Sequence, residues 1–416
     1  MYLNNYQHLK NNETYFFIFL FLFSLLIRLP VILLFGDTSL VNEWENLVHN
    51  LITHGKLTYD LDGFLLPNLY MPPLYAYYLY FFSFFNLENK NYILLILSSQ
   101  ILLASISVVV FYKINKLFFS QKISFYSSLM FSLFPLHLYA CSQLSSISLQ
   151  MFLAIFYLYF FFQFVKKKNL SSIVIFSFLS GLLILLRGEF RIIFVLSLLY
   201  LFFFFKISIK KILLIFLITL ITISPYLIRN FIIFEKITIV ETSGYNLWHG
   251  NHPNAMKNSM VEGLDYNPMF DKEIKEQIDV IPKDKFYRIK WDKVFKDQAI
   301  KNIMKEPIGY LIFYAKKVVS FLFINIDSKD TRYWNPLHYL PVLLLGITSL
   351  IGIVLSDKKS YKFNYLIFVF FLNVFIFSAA TILPRYKLVI LPLQIIFTNT
   401  LIEHIKEKFF NQRKNN

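Results

Sequence analysis

A single carboxylate stands on a predicted helix where it can act as a general base. The segment LVNEWENLVHNLITH follows Asp37-Thr38-Ser39 and ends at Gly55, a residue type that often stops a helix. Its apolar stripe is formed by Leu40, Trp44, Leu47, Val48 and Leu51. The opposite face carries Glu43, Asn46, Asn50 and His54. A carboxylate beside amides and an imidazole can take a proton from a hydroxyl or an amine. Spacing alone favours the simpler interpretation, the solvated face of an amphipathic helix.

Four cations lie beside apolar segments and are candidates for binding an anionic group. Arg187 stands in LRGEFR and Arg229 in SPYLIRN, whereas Arg385 and Lys387 stand in LPRYKL. A guanidinium matches two oxygens of a phosphate, and an ammonium serves as a point charge. Two alternatives remain open. One is an Arg–Glu pair in a simple interhelical turn at 187–189, and the other is snorkelling of Arg385 and Lys387 to a membrane interface.

A mixture of aromatic and amide side chains forms the third candidate group. The segment SGYNLWHGN contains Tyr245, Asn246, Trp248 and Asn251. Tyr75 follows a rigid corner made by two consecutive prolines, 72 and 73. Aromatic rings can stack on a sugar face while amides hydrogen-bond its hydroxyls. Ordinary turn chemistry explains the same residues equally well.

The elements that must position these residues are membrane helices. Of 416 residues, 56% are hydrophobic and 16% are charged, against about 25% charged residues in a soluble protein. An uncharged run of about 18 apolar residues can cross a bilayer. Ten segments are expected to do so: 15–35, 91–112, 122–140, 145–165, 170–186, 190–205, 211–228, 337–355, 363–382 and 387–402. The first lacks a small-residue cleavage site behind it, which favours a retained helix over a signal peptide.

The net charge of +16 is an orientation signal and not a sign of nucleic-acid binding. We expect 74–85 and 308–326 to lie in or dip into the interface without crossing. The lysine clusters between the spans and the basic C-terminal tail then all face one side, which the positive-inside rule makes the cytoplasm. Both termini lie inside, and the chain is one membrane domain, 1–416. Its two long outer loops, 36–90 and 229–336, carry most of the candidate residues, and an amphipathic helix is expected within 284–305.

Taken in chain order, these motifs resemble the C-type, polyprenyl-phosphate-sugar-dependent glycosyltransferases. The likeness is carried by Arg28 near the end of the first span, the acidic helix before Met-Pro-Pro-Leu-Tyr, and the motifs Ser-Pro-Tyr-x-x-Arg-Asn, Gly-Tyr-Asn-Leu-x-x-Gly-Asn and Pro-Arg-Tyr-Lys. The chain is similar to bacterial family 39 proteins, akin to protein O-mannosyltransferases and the aminoarabinose transferase of lipid A. Asn42 and Ser148 stand where such enzymes usually carry acids, so the resemblance assigns the base to Glu43 alone.

The resemblance implies an all-α polytopic fold with about ten transmembrane helices, two interfacial helices and an active site in the outer loops. It implies inverting transfer of a sugar from a polyprenyl-phosphate donor to a cell-envelope glycolipid, polymer or protein. Glu43 would be the catalytic base. The donor phosphate would contact Arg385, Lys387, Arg229 and Arg187, and the substrates would contact His54, Asn50, Tyr75, Tyr245, Asn246, Trp248 and Asn251.

We expect a monomer in the bacterial inner membrane that needs neither cofactor nor metal, because the sequence shows no cluster of metal ligands. One alternative is a transporter or flippase of a lipid-linked sugar, although charges within the spans and paired broken helices are scarce. Another alternative is a scaffold that has kept the fold without the activity.

Overall fold

The computed structural model describes residues 2–40, 42–257, 271–328, 331–356 and 360–415. Within these ranges, the side chains of residues 2–12, 42, 43, 332 and 409–415 lie outside the description. The described chain is mostly helical, and the one sheet found in it is a two-stranded antiparallel hairpin. Packing between helices therefore positions the candidate residues.

The helices and strands of the described ranges are numbered in chain order. The helices are α1 (Tyr2–Phe35), α2 (Asn42–His54), α3 (Pro73–Ser83), α4 (Asn89–Asn115), α5 (Gln121–Leu133), α6 (Pro135–Ala140), α7 (Ile147–Lys167), α8 (Leu170–Leu186), α9 (Phe190–Phe203), α10 (Ile209–Phe234), α11 (Ser243–His249), α12 (Pro253–Lys257), α13 (Lys272–Asp279), α14 (Tyr287–Lys305), α15 (Pro307–Leu322), α16 (Pro336–Leu355), α17 (Tyr361–Ser378) and α18 (Leu391–Asn415). The strands are β1 (Thr58–Leu61) and β2 (Phe64–Pro67), and two 3₁₀ helices are Thr331–Trp334 and Pro384–Ile390.

Seven helical segments of the described chain are long and apolar enough to cross a membrane. They are Glu13–Phe35, Asn89–Asn115, Ile147–Lys167, Ile209–Phe234, Pro336–Leu355, Tyr361–Ser378 and Pro384–Lys408. Each coincides with one of the ten expected spans. The apolar helices α8 and α9 are shorter, with 17 and 14 residues. The predicted class, a helical membrane protein with several spans, is therefore confirmed, and the number of crossings stays a prediction.

The expected span 122–140 is not one continuous helix. The backbone breaks at Phe134, whose φ of −63° and ψ of 121° are extended, and α6 begins at Pro135. Proline has no N–H group to continue a helix, and it disfavours the helical conformation in the residue before it. The break therefore follows from the sequence, and the continuous span predicted there is wrong.

The first outer loop folds as a helix, a hairpin and a second helix. The stripe of α2 is buried at Leu47, Val48 and Leu51, which confirms the expected amphipathic helix. The hairpin is not predicted by the sequence analysis. β1 and β2 join at Asp62-Gly63, where both residues have positive φ, 50° and 84°. An Asp-Gly pair between two short strands is typical of this two-residue turn.

The helix expected in the interface at 74–85 is enclosed by the protein on one side. Tyr75, Ala76 and Leu79 of α3 are fully buried. α3 packs against α2, α4 and α8, while Tyr77 and Phe81 on its other side are exposed. α3 therefore supports α2 with its buried side, and its position at a membrane interface stays a prediction.

The second outer loop has a small core of its own. Trp248 of α11 is fully buried in it and packs with Ile274, Ile278, Phe295 and Ala299 of α13 and α14. The helix expected within 284–305 is present as α14, although its buried residues include Arg288, Asp292 and Asn302. Two close approaches hold α11 in place. A Cβ atom on Gly244 would lie 2.2 Å from the backbone oxygen of Asp292, and one on Gly250 would lie 2.3 Å from the carbonyl carbon of Ala380.

The second segment expected in the interface, 308–326, contains α15 and buries a lysine. Lys317 is fully buried, and its Nζ donates to Gly250 O at 3.0 Å, Asn251 Oδ1 at 2.7 Å and Ala380 O at 3.3 Å. Burial lowers the pKa of Lys317 to about 7. Lys316 next to it is exposed. Lys317 therefore fastens α15 to the second outer loop and does not reach out to an interface.

The two ends of the bundle differ in charge. At one end, Lys211 Nζ donates to Lys168 O at 2.7 Å, and the ring of Phe118 lies 5.6 Å from that of Phe162. These contacts bring the basic connections after α4, α7 and α9 together. The two long loops cover the opposite end, where the second loop reaches the first through Glu241 N and Leu69 O, 2.8 Å apart. The positive-inside pattern requires this separation.

Candidate functional site

Two arginines from different turns meet at one tyrosine ring. Arg187 follows α8, and its guanidinium carbon lies 5.2 Å from the centre of the Tyr386 ring. Arg385 lies in the 3₁₀ helix before α18, and its guanidinium carbon lies 5.7 Å from the same centre. The structure therefore brings together two of the four cations that the sequence singled out. We call Arg187 and Arg385 the arginine pair.

No carboxylate of the described residues neutralises the arginine pair. Arg187 Nε donates to Gln150 Oε1 at 3.0 Å, which is a neutral partner. None of the ion pairs within the described ranges includes an arginine, so the proposed pairing of Arg187 with Glu189 does not form there. Two guanidinium groups without a counter-charge attract an anion, and their geometry suits phosphate oxygens.

Arg229 braces the first outer loop from the end of α10. Its Nη1 donates to Asn68 O at 2.9 Å and its Nη2 to Leu57 O at 3.0 Å. A third bond joins Nη1 to Asn230 Oδ1 at 2.6 Å. A guanidinium has five N–H groups, so Arg229 keeps the capacity to bind a ligand as well. In the structure, these hydrogen bonds of Arg229 hold the corner of the chain before Pro72.

An apolar groove leads to Arg229. It has a volume of about 280 Å³ and lies between α3, α8 and α10. The residues that line it are Pro73, Leu74, Tyr77, Leu185, Thr222, Pro225, Tyr226 and Arg229. A mostly apolar groove with one cation in its lining suits a molecule with an anionic head and an apolar tail.

Lys387 is turned away from the arginine pair. It is buried, and its Nζ donates to Phe323 O at 2.7 Å and lies 3.5 Å from the Tyr333 hydroxyl oxygen. These contacts hold the end of α15 and rule out snorkelling of Lys387 to an interface. A contact of Lys387 with the donor phosphate stays a prediction.

Glu43 lies in the first turn of α2, and its side chain is outside the described part of the structure. The chain just before α2 is fixed, because Asp37 Oδ2 accepts a hydrogen bond from Leu144 N at 2.6 Å. Leu144 precedes α7, whose first turn carries Gln150, the partner of Arg187. α2 therefore begins at the same end of the bundle as the arginine pair.

The polar face of α2 is partly exposed and partly covered. His54 is exposed, whereas Asn50 is buried and its Nδ2 donates to Thr58 O at 3.0 Å, which holds the hairpin on α2. Asn46 lines a cavity of about 160 Å³, which we call the loop cavity. Its other lining residues are Leu47, Tyr59, Asp60, Asn68, Tyr70 and Arg288. The sequence favoured a solvated polar face on α2. In the structure, part of this face forms the wall of a cavity between the two outer loops.

Tyr75 lies beneath α2. It is fully buried, its ring lies 4.8 Å from that of Trp44, and its hydroxyl donates to Gln100 Oε1 at 3.1 Å. Packing against Trp44 accounts for the burial of Tyr75. The expected contact of Tyr75 with a substrate stays a prediction.

The residues of SGYNLWHGN divide into two groups. Trp248 fills the core of the second loop, and Asn251 is buried, with its Nδ2 donating to Leu247 O at 2.7 Å and Ala379 O at 2.9 Å. Tyr245 is half-buried against Trp291, with ring centres 4.8 Å apart, and Asn246 is exposed. Tyr245 and Asn246 therefore remain accessible, whereas the other two hold the loop together.

Sequence reasoning missed two polar residues of the loop cavity. Arg288 stands among the many lysines of α14, and Tyr59 lies in the hairpin that was not predicted. The hairpin turn at Asp62-Gly63 was a usable signal for Tyr59, but none marked Arg288. Among the residues that the structure describes, no group of three His, Cys, Asp or Glu side chains could hold a metal ion.

These features define the class of protein. Several apolar helices are covered at one end by two long loops, and at that end lies the arginine pair, which forms no ion pair with a described carboxylate. The chain is a multi-span membrane protein with the C-type glycosyltransferase fold, as the resemblance in the sequence predicted.

Part of the chain matches a family of known proteins. The family model described as dolichyl-phosphate-mannose-protein mannosyltransferase matches residues 70–228. The matched segment, under half of the chain, includes Arg187 but not Glu43, Arg229 or Arg385. A search among curated protein sequences finds no match.

Solved structures of an archaeal enzyme show the fold. The archaeal oligosaccharyltransferase AglB from Archaeoglobus fulgidus, in complex with an inhibitory peptide and a dolichol-phosphate, has a TM-score of 0.58 at 12% identity, over 96% of this chain and 51% of that chain. The same enzyme tethered to an acceptor peptide has a TM-score of 0.56 at 13% identity, over 97% and 51%. ArnT from Cupriavidus metallidurans bound to undecaprenyl phosphate has a TM-score of 0.44 at 12% identity, over 91% and 77%. This chain therefore spans about half the length of AglB.

Proposed function

We propose that the chain is a membrane glycosyltransferase that takes a sugar from a polyprenyl-phosphate donor and transfers it, with inversion, to a cell-envelope glycolipid, polymer or protein. The observation that carries the proposal is the meeting of Arg187 and Arg385 at Tyr386 without a carboxylate among the described residues. The leaving group of this reaction is a lipid phosphate, and two guanidinium groups can stabilise the charge that develops on it.

The polyprenyl tail of the donor would lie in the apolar groove. Arg229 is the one cation in its lining, and Pro73, Leu185 and Arg229 lie near the ends of α3, α8 and α10, so a polyprenyl chain in the groove could place its phosphate near these helix ends. A similar protein and the matching family support a donor of this class. AglB was solved with a dolichol-phosphate, and the matching family is named for a dolichyl-phosphate sugar.

The proposed reaction is a single displacement at the anomeric carbon. Glu43 takes the proton of the acceptor hydroxyl or amine, and the acceptor atom attacks from the side opposite the phosphate. The bond between the anomeric carbon and the phosphate oxygen breaks, and its electron pair stays on the phosphate beside the arginine pair. A positioned base contributes about 10²–10⁴-fold, and stabilisation of the leaving phosphate is the larger effect in this account.

We further propose that the loop-covered end faces outwards from the bacterial inner membrane and that the protein acts as a monomer. The orientation is supported by the lysines that gather at the other end, including Lys168 and Lys211. In this orientation the acceptor comes from the cell envelope.

The arginine pair can be tested with one matched control. Arg385→Gln and Arg187→Gln remove one charge each, and we expect each to lower the release of polyprenyl phosphate from a labelled donor by about 10²–10³-fold. Arg191→Gln is the control, because Arg191 is an exposed arginine near the same turn. The assay uses protein in proteoliposomes with an envelope extract as acceptor.

Release at the wild-type rate by both variants would contradict a donor site at Tyr386. An equal loss in Arg191→Gln would show a general effect of surface charge instead.

A further inference from the structure

Arg288 is a buried arginine with an unsatisfied edge. It is only 7% exposed, and neither its Nε nor its Nη2 has a hydrogen-bond partner among the described residues. These two nitrogens lie along one edge of the planar guanidinium, which can bind two oxygens of a phosphate or a carboxylate. Buried donors in folded proteins are nearly always paired, so an unpaired edge calls for a ligand.

Aromatic rings hold this guanidinium in place. Its carbon lies 3.7 Å from the centre of the Trp291 ring and 3.9 Å from that of Tyr70. Trp291 belongs to the second outer loop and Tyr70 to the first, so Arg288 lies where the two loops meet. The stacking fixes the plane of the group and leaves its edge available.

A second unpaired donor lines the same cavity. The hydroxyl of Tyr59 is buried without a hydrogen-bond partner among the described residues, and both Tyr59 and Arg288 line the loop cavity. Burial raises the pKa of Tyr59 to about 12, while the nearby Arg288 acts in the opposite direction. The hydroxyl therefore keeps its proton at neutral pH and can donate it to an anion.

The cavity's size and position limit what it can hold. Its volume of about 160 Å³ is roughly five times the share of one water molecule in the liquid, enough for a phosphate or carboxylate group but not for a whole glycolipid. Asn46 in its wall is three residues after Glu43, so both lie on one face of α2, about one helical turn apart. A ligand group in the cavity is thus anchored close to the proposed base.

We propose that the loop cavity binds a phosphate or carboxylate group of the acceptor substrate, with Arg288 on two of its oxygens and Tyr59 donating to one. The inference rests on the proposed function, because the acceptor is the substrate that must lie beside Glu43. Donor and acceptor then use separate cations, the arginine pair at the ends of the spans and Arg288 in the outer loop. Exposed Asp60 at the cavity wall can accept a hydrogen bond from a hydroxyl or ammonium group of the same acceptor.

The test measures binding of small probes to the purified full chain in detergent. Glucose 6-phosphate and glucuronate carry the two candidate anions, and glucose is the neutral control. Trp291 stacks on Arg288, so its fluorescence reports on the cavity, and Trp291→Phe identifies its share of the signal. We expect a saturable change with at least one of the two acids and none with glucose.

Two variants separate a binding role from a structural one. Arg288→Gln should weaken probe binding at least about tenfold, as expected for hydrogen bonds to a charged group. Tyr59→Phe should weaken it by about three- to tenfold. The Tyr59→Phe protein should also unfold at the same or a higher temperature than wild type, because the lost hydroxyl has no hydrogen-bond partner among the described residues. Tyr59→Phe keeps the test decisive even if Arg288→Gln does not fold.

Equal responses to glucose and to the acids, or wild-type affinity in the folded variants, would overturn the inference. The Arg385→Gln variant tests the donor site separately. It should bind the probes in the loop cavity as wild type does. If Arg385→Gln keeps wild-type turnover while Arg288→Gln loses probe binding, the proposed donor site fails and the anion cavity stands.

Discussion

Glu43 and Glu45 form a matched pair for testing the proposed base. Both lie in α2, two positions apart and therefore on different faces of the helix, and Glu45 is exposed. Glu43→Gln keeps the size of the side chain but removes its ability to accept a proton. We expect turnover to fall by about 10²–10⁴-fold, with little change in the KM for the donor, because the base acts on the acceptor. Glu45→Gln should retain wild-type kinetics. Undiminished turnover in Glu43→Gln would remove this carboxylate from the mechanism.

Single residues show where sequence reasoning stops. Residue type and position at the ends of apolar runs were enough to select Arg187 and Arg385. Residue type and position could not show that Arg229 and Lys387 have a different role from the arginine pair. Arg229 and Lys387 donate to backbone oxygens of Leu57, Asn68 and Phe323. Such partners are distant in sequence and leave no pattern in it. Arg288 was missed for the same reason, since only the packing of two loops distinguishes it from the lysines around it.

At the scale of elements, the contact between α11 and the turn before α18 explains a motif. Gly250 ends α11, and the following Asn251 donates to Ala379 O at 2.9 Å. Lys317 of α15 donates to the oxygens of both Gly250 and Ala380. The glycine and asparagine that resembled a sugar-binding pattern therefore join three elements that hold the second outer loop over the bundle.

Glycine substitutions test this contact. Gly250→Ala would place a Cβ atom 2.3 Å from the carbonyl carbon of Ala380, and forced overpacking of this kind costs about 1–3 kcal/mol. We expect a lower midpoint of thermal unfolding in detergent, measured by circular dichroism or scanning fluorimetry. Gly188→Ala is the matched control, because its Cβ would meet only the Cγ2 atom of Val240 at 3.6 Å, an ordinary contact. Equal midpoints for both variants would contradict the tight packing of α11.

The elements also differ in how well their sequences predict them. Periodicity predicted the helices α2 and α14. The apolar face of α2 packs against the protein, whereas the buried side of α14 includes Arg288, Asp292 and Asn302. A hydropathy criterion predicted one span across α5 and α6, because hydropathy takes no account of the missing N–H group of Pro135. It also gave no sign that α3 packs against α2, α4 and α8, which buries one of its sides.

At the scale of the whole molecule, composition and charge carried most of the prediction. Runs of apolar residues require lipid-facing helices, and the basic connections meet at one end as the positive-inside rule demands. The fold and the resemblance follow from these features together with the motifs, whereas the meeting of Arg187 and Arg385 at Tyr386 is known only from the structure. The loop cavity does not, because it depends on how the first and second outer loops pack against each other.

The central claim is that the protein cleaves a polyprenyl-phosphate sugar, and a doubly labelled donor tests it most directly. The donor carries one label on the sugar and another on the lipid, and wild-type protein in proteoliposomes receives it with an envelope extract as acceptor. We expect the sugar label to move to the acceptor with inverted anomeric configuration while the lipid label appears as free polyprenyl phosphate. Movement of both labels together across the membrane, with the donor intact, would contradict the account and identify a transporter.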